Sequence, residues 1–398
     1  MVERIAIVGA SLAGVAAARA LRRQAFAGEI IAIGAERHQP YDRPPLSKAF
    51  LTGDCSAADL SLADDDEDLG VRWRLGTPAE RLDPRNRRIV LRDGEEIAVD
   101  GVILATGARA RRLPGTDGLA NVHTLRTLDD AIALRADLQR AERLVVIGAG
   151  FIGAEVASSA RSLGLDVTVV EALPTPLAGP LGAEMGAVCA RLHGDHGVRL
   201  LTGTAVAGLT GSSRVEAVEL ADGTRLPADV VLVGIGAQPN VEWLADSGLV
   251  ISGGVVTDAS CATNLPAVVA TGDCATSFSP YAGRALRSEH WTHAFEQPAT
   301  AVATLLGGET GGSGAPVDRP AIPYFWSDQY GVRIQLAGHR EEGDTVRIVE
   351  GDPEQRSFLA VYERHGRPVA VLGMNQPKLF TRWRRQLRAP SPVATPAP

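Results

Sequence analysis

Two stretches of the chain repeat one pattern of apolar and small residues. Residues 5–14 and 145–153 each begin with an apolar run typical of a buried strand and continue into a glycine-rich turn. An alanine-rich helix and a second apolar strand follow each turn, at 15–23 and 30–33 in the first unit and at 154–163 and 167–170 in the second. The pattern predicts two separate β-α-β folds of the dinucleotide-binding type.

Further apolar runs complete the prediction of an α/β protein. Buried strands are expected in 102–108, 230–236 and 268–273. A Gly-, Ser- and Thr-rich stretch at 307–316 is typical of a linker, and the Pro- and Ala-rich tail 389–398 is typical of disorder. Between them, short antiparallel strands are expected at 346–349, 358–362 and 369–373.

Composition excludes several other classes of protein. The chain has 398 residues, of which 45% are hydrophobic and 22% charged, so it is long enough for two or three folded domains. A net charge of −7 argues against a nucleic-acid-binding protein, and no segment resembles a membrane span. The widely spaced Cys55, Cys189, Cys261 and Cys274 argue against a disulfide scaffold or a structural metal site. With free cysteines and no export signal, we expect a cytoplasmic protein.

The two glycine-rich turns predict phosphate sites. Backbone N–H groups at such a turn approach a pyrophosphate closely, and the dipole of the following helix favours its negative charge. The second turn carries the full pattern Gly148-Ala-Gly150-Phe-Ile-Gly153, whereas the first, Gly9-Ala-Ser11-Leu-Ala-Gly14, has serine at the second glycine. Two such turns, each between a strand and a helix, indicate two bound nucleotides.

An acidic residue after the second strand of each unit is expected to hold an adenosine ribose. Glu171 stands where such a residue is expected, about 20 residues after the first glycine, and a carboxylate there repels a 2′-phosphate. No Arg or Lys lies between Arg161 and Arg191, which favours NADH over NADPH. In the first unit, expected to hold FAD, the candidate is Glu36, one position past Ala35.

Several strings of residues are similar to a known family. The most specific is Tyr41-Asp-Arg-Pro-Pro-Leu-Ser-Lys48, and the others are 234–240, 270–275, 289–294 and 325–329. In order and spacing they resemble the NADH-dependent, FAD-containing ferredoxin reductases of bacterial oxygenase systems. The resemblance implies a glutathione-reductase-like fold: an FAD domain in two parts (1–108 and 231–315), an NAD domain (109–230) and a C-terminal α+β domain (316–388).

The resemblance also assigns roles to individual residues. Ala13 and Gly14 would line the FAD pyrophosphate, Ala79 would contact the adenine, and Asp273 would accept a hydrogen bond from the ribityl chain. Arg43 and Lys48 would approach the phosphate or flavin side, Arg126 would contact the FAD near the domain crossing, and Trp291 would lie by the isoalloxazine. Ile152, Glu155 and Trp326 would lie by the nicotinamide. The expected catalytic residues are Lys48, Glu155 and Trp326. The full cofactor-binding set is Gly9, Ser11, Ala13, Gly14, Glu36, Arg43, Lys48, Ala79, Thr106, Gly107, Arg126, Gly148, Gly150, Phe151, Ile152, Gly153, Glu171, Gly236, Asp273 and Trp291.

Lysine and cysteine usage sharpen the expected chemistry. Lys48 and Lys378 are the only lysines, and a compact ammonium at Lys48 suits the stabilisation of an anionic reduced flavin. Disulfide reductases of this fold carry a cysteine pair beside the flavin, where this chain has 41–48, with Cys55 the nearest thiol in sequence. We therefore expect a hydride to pass from NADH to the flavin and single electrons to leave it. Cys274 is expected to be a small buried residue.

The expected electron acceptor is a small acidic iron–sulfur ferredoxin of a haem monooxygenase or Rieske dioxygenase. The segment 376–388 is basic and contains Trp383; it is predicted to steer this partner through Lys378, Arg382, Arg384, Arg385 and Arg388. The alternative is an ordinary solvated helix face that packs on Leu379 and Leu387.

Two other functions stay open: an NADH oxidase or other pyridine-nucleotide reductase, and a redox-sensing flavoprotein that acts as an interaction module. The oligomeric state is open as well.

Overall fold

A computed structural model describes residues 2–63, 67–116, 118–307 and 321–387. The predicted linker after Gly307, the tail 389–398 and Arg388 lie outside the described residues. The helices are α1 (Leu12–Arg23), α2 (Ala49–Thr52), α3 (Leu128–Leu138), α4 (Phe151–Ser162), α5 (Ala178–Asp195), α6 (Trp291–Gly307) and α7 (Pro377–Leu387). In the described part of the chain no helix is long and apolar enough to cross a membrane.

The strands follow in chain order. The first half of the chain forms β1 (Arg4–Val8), β2 (Glu29–Ile33), β3 (Val71–Arg74), β4 (Ala79–Asp83), β5 (Arg88–Leu91), β6 (Glu96–Ala98), β7 (Gly101–Leu104), β8 (Ala108–Ala110), β9 (Val122–His123), β10 (Arg143–Ile147), β11 (Asp166–Glu171) and β12 (Arg199–Thr202). The second half forms β13 (Val206–Thr210), β14 (Ala217–Leu220), β15 (Arg225–Pro227), β16 (Val230–Val233), β17 (Ala237–Pro239), β18 (Val255–Thr257), β19 (Val268–Ala270), β20 (Ala275–Ser279), β21 (Arg284–Leu286), β22 (Tyr324–Gln329), β23 (Val332–Gly338), β24 (Thr345–Asp352), β25 (Ser357–Arg364) and β26 (Arg367–Met374).

The first parallel sheet has the strand order β19-β7-β1-β2-β3. Alternate residues of β1 face opposite sides: Ile5 and Ile7 pack with α1 and α6, while Ala6 and Val8 pack with the small antiparallel sheet β4-β5-β6. Both faces are covered, which explains the nearly continuous apolar run of β1. Strand β19 returns to this sheet after the second β-α-β unit, as expected for a domain in two parts; the domain boundaries themselves stay predictions.

The second parallel sheet has the order β12-β11-β10-β16-β9. Helices α3 and α4 cover one face and the antiparallel sheet β13-β14-β15 covers the other. Leu46, Phe50 and Leu51, which precede β3 in the chain, share a core with Val146 and Val156 of this second unit. The segment that carries Lys48 is therefore fixed at the junction between the two units.

The C-terminal sheet is antiparallel, with the order β22-β23-β26-β25-β24. Helix α5 packs on one face and α7 on the other. Its strands are longer than the predicted 346–349, 358–362 and 369–373, because each strand continues beyond its apolar run into partly exposed polar residues. The predicted α/β class, with two Rossmann-like units and a C-terminal α+β part, is confirmed.

Candidate active site

The first glycine-rich turn joins β1 to α1. Gly9 has φ of +126°, and a Cβ there would lie 2.0 Å from the carbonyl oxygen of Ala105, so only glycine fits. Ser11 is the N-cap of α1, yet its side chain makes no capping hydrogen bond. Helix α3, in contrast, begins with a complete capping box at Thr127. The first turn of α1, with Ala13 and Gly14, is thus left for another acceptor, which fits a nucleotide pyrophosphate.

The second turn, between β10 and α4, has the same construction. Gly148 has φ of +101°, and a Cβ on Gly153 would lie 2.1 Å from the Gly148 carbonyl oxygen, so these glycines close the turn. A Cβ on Gly150, the N-cap of α4, would meet nothing within 4 Å. The space in front of α4 is therefore open and fits a second pyrophosphate, with Phe151 and the 46% exposed Ile152 in the first turn.

Glu171 ends β11 beside this turn, as the sequence predicts. Its carboxylate accepts hydrogen bonds from the backbone N–H groups of Ala149 and Leu173, each at 2.9 Å. Each glycine-rich turn, together with the N-terminus of its helix, forms a cradle: residues 9–14 with α1 are the first cradle, and residues 148–153 with α4 are the second. The two hydrogen bonds hold the Glu171 carboxylate beside the second cradle, where the ribose of a nicotinamide nucleotide is expected.

Lys48 and Glu155, both predicted as catalytic, form an ion pair of 2.6 Å that joins the N-terminus of α2 to α4. The Glu155 side chain is only 4% exposed. Three donors satisfy it: Lys48 Nζ and, at 2.5 Å, Ser47 Oγ bind Oε2, and Ser327 Oγ binds Oε1 at 2.6 Å. These three donors compensate the burial of the carboxylate. Ser47 and Ser327 were not predicted, although both stand inside strings that carry the family resemblance.

A second polar cluster joins the expected flavin contacts. Arg126 pairs with Asp273 at 2.5 Å and donates to the carbonyl oxygen of Ala108 at 3.0 Å. Arg43 pairs with Glu36 at 2.7 Å and lies 3.3 Å from Ser11 Oγ. The structure therefore brings Glu36 to Arg43; the ribose contact proposed for Glu36 stays a prediction.

Tyr41 belongs to the same cluster and was missed as a site residue. Its hydroxyl donates to Glu36 and accepts the backbone N–H of Leu128 at 2.8 Å. Burial raises the pKa of this phenol, so it stays neutral and can donate. Its place at the start of the string 41–48 was the available signal.

The two predicted tryptophans lie together. Their rings meet edge to face with centroids 6.0 Å apart, and Trp291 Nε1 donates to Asp42 at 2.7 Å. Tyr324 stacks on Trp326 with centroids 6.0 Å apart. Trp291, Trp326 and Tyr324 thus form an aromatic series that leads toward α7. On the other side Phe295 stacks on Trp291 at 5.1 Å.

Histidines stand on both sides of Trp291. Burial lowers the pKa of His290 to about 4, and burial also lowers the pKa of His293 against the opposing charge of Asp273. Both imidazoles are therefore neutral near pH 7. They stand in the string 289–294, and their neutrality could not be predicted because it depends on tertiary burial.

The remaining predicted residues are placed around these centres. Thr106 Oγ1 donates to the carbonyl oxygen of Asn240 at 2.8 Å, Gly107 and Gly236 adopt positive φ, and Ala79 begins β4. Cys274 is fully buried, as expected, and burial raises the pKa of its thiol. Across the described ranges no group of three or more His, Cys, Asp or Glu side chains could hold a metal ion.

Two known protein families match most of the chain. Residues 3–298 match the family described as pyridine nucleotide-disulphide oxidoreductase, and residues 324–397 match the family described as reductase C-terminal. The fold and its two cradles thus define an oxidoreductase of the pyridine-nucleotide class, which implies a flavin and NAD(P)H.

Full-length relatives narrow this class. The chain is 36% identical to a probable ferredoxin reductase of Castellaniella defragrans, covering 95% of this chain and 92% of that protein. It is 39% identical to the ferredoxin–NAD(+) reductase component of the biphenyl dioxygenase system of Paraburkholderia xenovorans, covering 94% and 87%. The crystal structure of the covalent putidaredoxin reductase–putidaredoxin complex superimposes with a TM-score of 0.91 at 35% identity, covering 97% and 93%. The chain belongs to the family of ferredoxin–NAD(+) reductases, and the resemblance found in its sequence is confirmed.

The open space at Gly150 generates a prediction. Gly150→Ala should fold normally, because its φ of −72° and ψ of 179° suit any residue and the added Cβ meets no protein atom. The methyl group would instead enter the expected phosphate space. We expect an unchanged melting temperature and a KM for the nicotinamide nucleotide raised about tenfold, equivalent to about 1.4 kcal/mol.

The matched control is Gly148→Ala in the same turn. Its Cβ would lie 2.4 Å from the carbonyl oxygen of Gly234 and its φ is +101°, so we expect this variant to lose stability. A Gly150→Ala enzyme with the wild-type KM would show that the nucleotide does not lie against α4.

Proposed function

We propose that the protein is an FAD-containing reductase that oxidises NADH and passes single electrons to an iron–sulfur ferredoxin of an oxygenase system. The observation that carries this proposal is the Lys48–Glu155 pair, which joins the segment 41–48 to α4 in a chain with two glycine-rich turns, each before a helix without a side-chain cap. Relatives named as reductase components of dioxygenase systems support the same function. A bound flavin would supply the conversion of a two-electron hydride into two single electrons.

The residues of the chain determine which nucleotide each cradle accepts. Glu171 presents a fixed carboxylate to the ribose of the nucleotide at α4, which favours two free hydroxyls over a 2′-phosphate. The first cradle is proposed to bind FAD, with Arg126 and Asp273 toward the flavin end. The ammonium of Lys48, held by Glu155, would favour negative charge on a reduced ring nearby.

Helix α7 supplies the proposed docking face. Lys378, Arg382 and Arg385 are exposed and lie at i, i+4 and i+7, so they form one basic stripe. The opposite face packs Phe380 and Leu387 on the C-terminal sheet. The basic stripe and the apolar face therefore lie on opposite sides of one helix, and docking on the stripe is part of the proposal.

Arg384 and Trp383 depart from the predicted stripe. The guanidinium of Arg384 lies over the Tyr324 ring at 4.2 Å, on a different side of α7, and Trp383 is half-buried against the sheet. Because Tyr324 stacks on Trp326, this contact joins α7 to the aromatic series that leads to Trp291. The proposed partner would dock within reach of that series.

Anaerobic stopped-flow absorbance tests the proposed function. NADH should bleach the flavin band rapidly, NADPH should do so at least tenfold more slowly because of Glu171, and an added 2Fe–2S ferredoxin should then be reduced. Bleaching without electron passage to a ferredoxin would favour the oxidase or the redox-sensing function. A colourless purified protein would contradict FAD binding in the first cradle.

Charge reversal on α7 tests the docking face. The triple variant Lys378→Glu, Arg382→Glu, Arg385→Glu should lower the second-order rate of ferredoxin reduction about tenfold or more at low ionic strength and flatten its salt dependence. Flavin reduction by NADH should not change. Arg225→Glu, at an exposed arginine on β15, is the control and should behave like wild type. An unchanged salt dependence in the triple variant would rule this face out.

A further inference from the structure

Strand β22 runs alongside helix α4, and the spacing of its residues matches the spacing of residues on the helix. Phe325 contacts Phe151 with ring centroids 4.5 Å apart, and two residues further along the strand Ser327 reaches Glu155, four residues further along the helix. Two strand residues span about 6.7 Å and four helical residues about 6 Å, so the spacings agree. The C-terminal sheet thus meets the nucleotide-binding helix at Glu155.

The hydrogen bonds around Ser327 direct its proton. Ser327 is completely buried, and the amide of Gln329 donates to its Oγ at 3.0 Å. With that lone pair occupied, the hydroxyl proton points to Glu155 Oε1, 2.6 Å away. Lys48 and Ser47 donate to the other carboxylate oxygen, Oε2. Ser327 therefore provides the hydrogen bond from the C-terminal sheet to Oε1.

We propose that Ser327 is a positioning residue for the reaction: it holds Glu155 charged and oriented, and through Glu155 it fixes the ammonium of Lys48. The role in hydride transfer rests on the proposed function. The effect on Glu155 itself does not, because it follows from a buried carboxylate that loses a donor.

Lys48 is the cation that pairs with Glu155, and the other acidic residues nearby have partners of their own or are exposed. Of the other acidic residues on elements packed against α4, Asp328 on β22 pairs with Arg333, and Glu171 on β11 binds backbone amides. Asp166 lies exposed at the start of β11. Two further titratable residues, Tyr330 just beyond the end of β22 and His193, are hydrogen-bonded to each other. His193 Nδ1 lies 2.8 Å from the Tyr330 hydroxyl.

Infrared spectroscopy of the holoenzyme tests the proposal directly. The carboxylic-acid band that disappears in Glu155→Gln reports protonation of Glu155. In Ser327→Ala this band should appear at a pH about one unit higher than in wild type, because one hydrogen bond to the charged form is lost. The acid limb of the rate of flavin reduction by NADH should move in the same direction, while the KM for NADH stays within twofold.

Two further variants separate positioning from packing. Ser327→Thr keeps the hydroxyl and should restore the wild-type values, whereas Ser327→Cys keeps the shape but donates weakly and should shift like Ser327→Ala. Ser247→Ala removes another buried serine hydroxyl, bonded to the Leu244 carbonyl, and should move neither readout.

The outcomes are distinct. If Ser327→Ala or, should that variant not fold, Ser327→Cys titrates like wild type, the proposal is overturned. If the band shifts but the wild-type enzyme reduces no ferredoxin, the proposed function fails and the role of Ser327 toward Glu155 stands.

Discussion

The ion pair between Lys48 and Glu155 is the interaction on which the arrangement of the site depends. A buried carboxylate is costly unless donors surround it, and removing one partner of such a pair costs about 3–5 kcal/mol. The carboxylate and its donors come from three parts of the chain: Glu155 from α4 of the second unit, Lys48 and Ser47 from the segment beside the first unit, and Ser327 from the C-terminal sheet. The three parts must therefore meet at this point for the carboxylate to be satisfied.

Each of the two units that meet at this junction carries a glycine-rich turn, the proposed phosphate sites. Helices α1 and α4 both begin without a side-chain cap, whereas α3, which follows no glycine-rich turn, is capped by Thr127. A helix N-terminus without a side-chain cap, placed behind a glycine-rich turn, can be satisfied by an anion. In the C-terminal part, Trp291, Trp326 and Tyr324 contact one another in turn, and Tyr324 contacts Arg384 of α7. Strand β22 thus carries both Ser327, which donates to Glu155, and Tyr324, which contacts Arg384 of the basic helix α7.

Sequence patterns predicted the local parts of this arrangement well. Both β-α-β units, both glycine-rich turns and the position of Glu171 at a strand end follow from short-range periodicity. Lys48 and Glu155 were named through the family resemblance, but their pairing with each other was not predicted. Contacts made across long sequence separations could not be predicted, such as Ser327 with Glu155, 172 positions apart. Arg384 shows the same limit: its charge suggested an exposed role, but packing of α7 turns it onto Tyr324.

The most direct test of this account is a double-mutant cycle on the rate constant of flavin reduction by NADH, measured anaerobically at saturating NADH. Lys48→Gln leaves a buried carboxylate without its cation, and Glu155→Gln leaves the ammonium without its anion. If the two residues act as one unit, the double variant should be no slower than the slower single variant. Effects of the two single variants that simply multiply in the double variant would contradict the account.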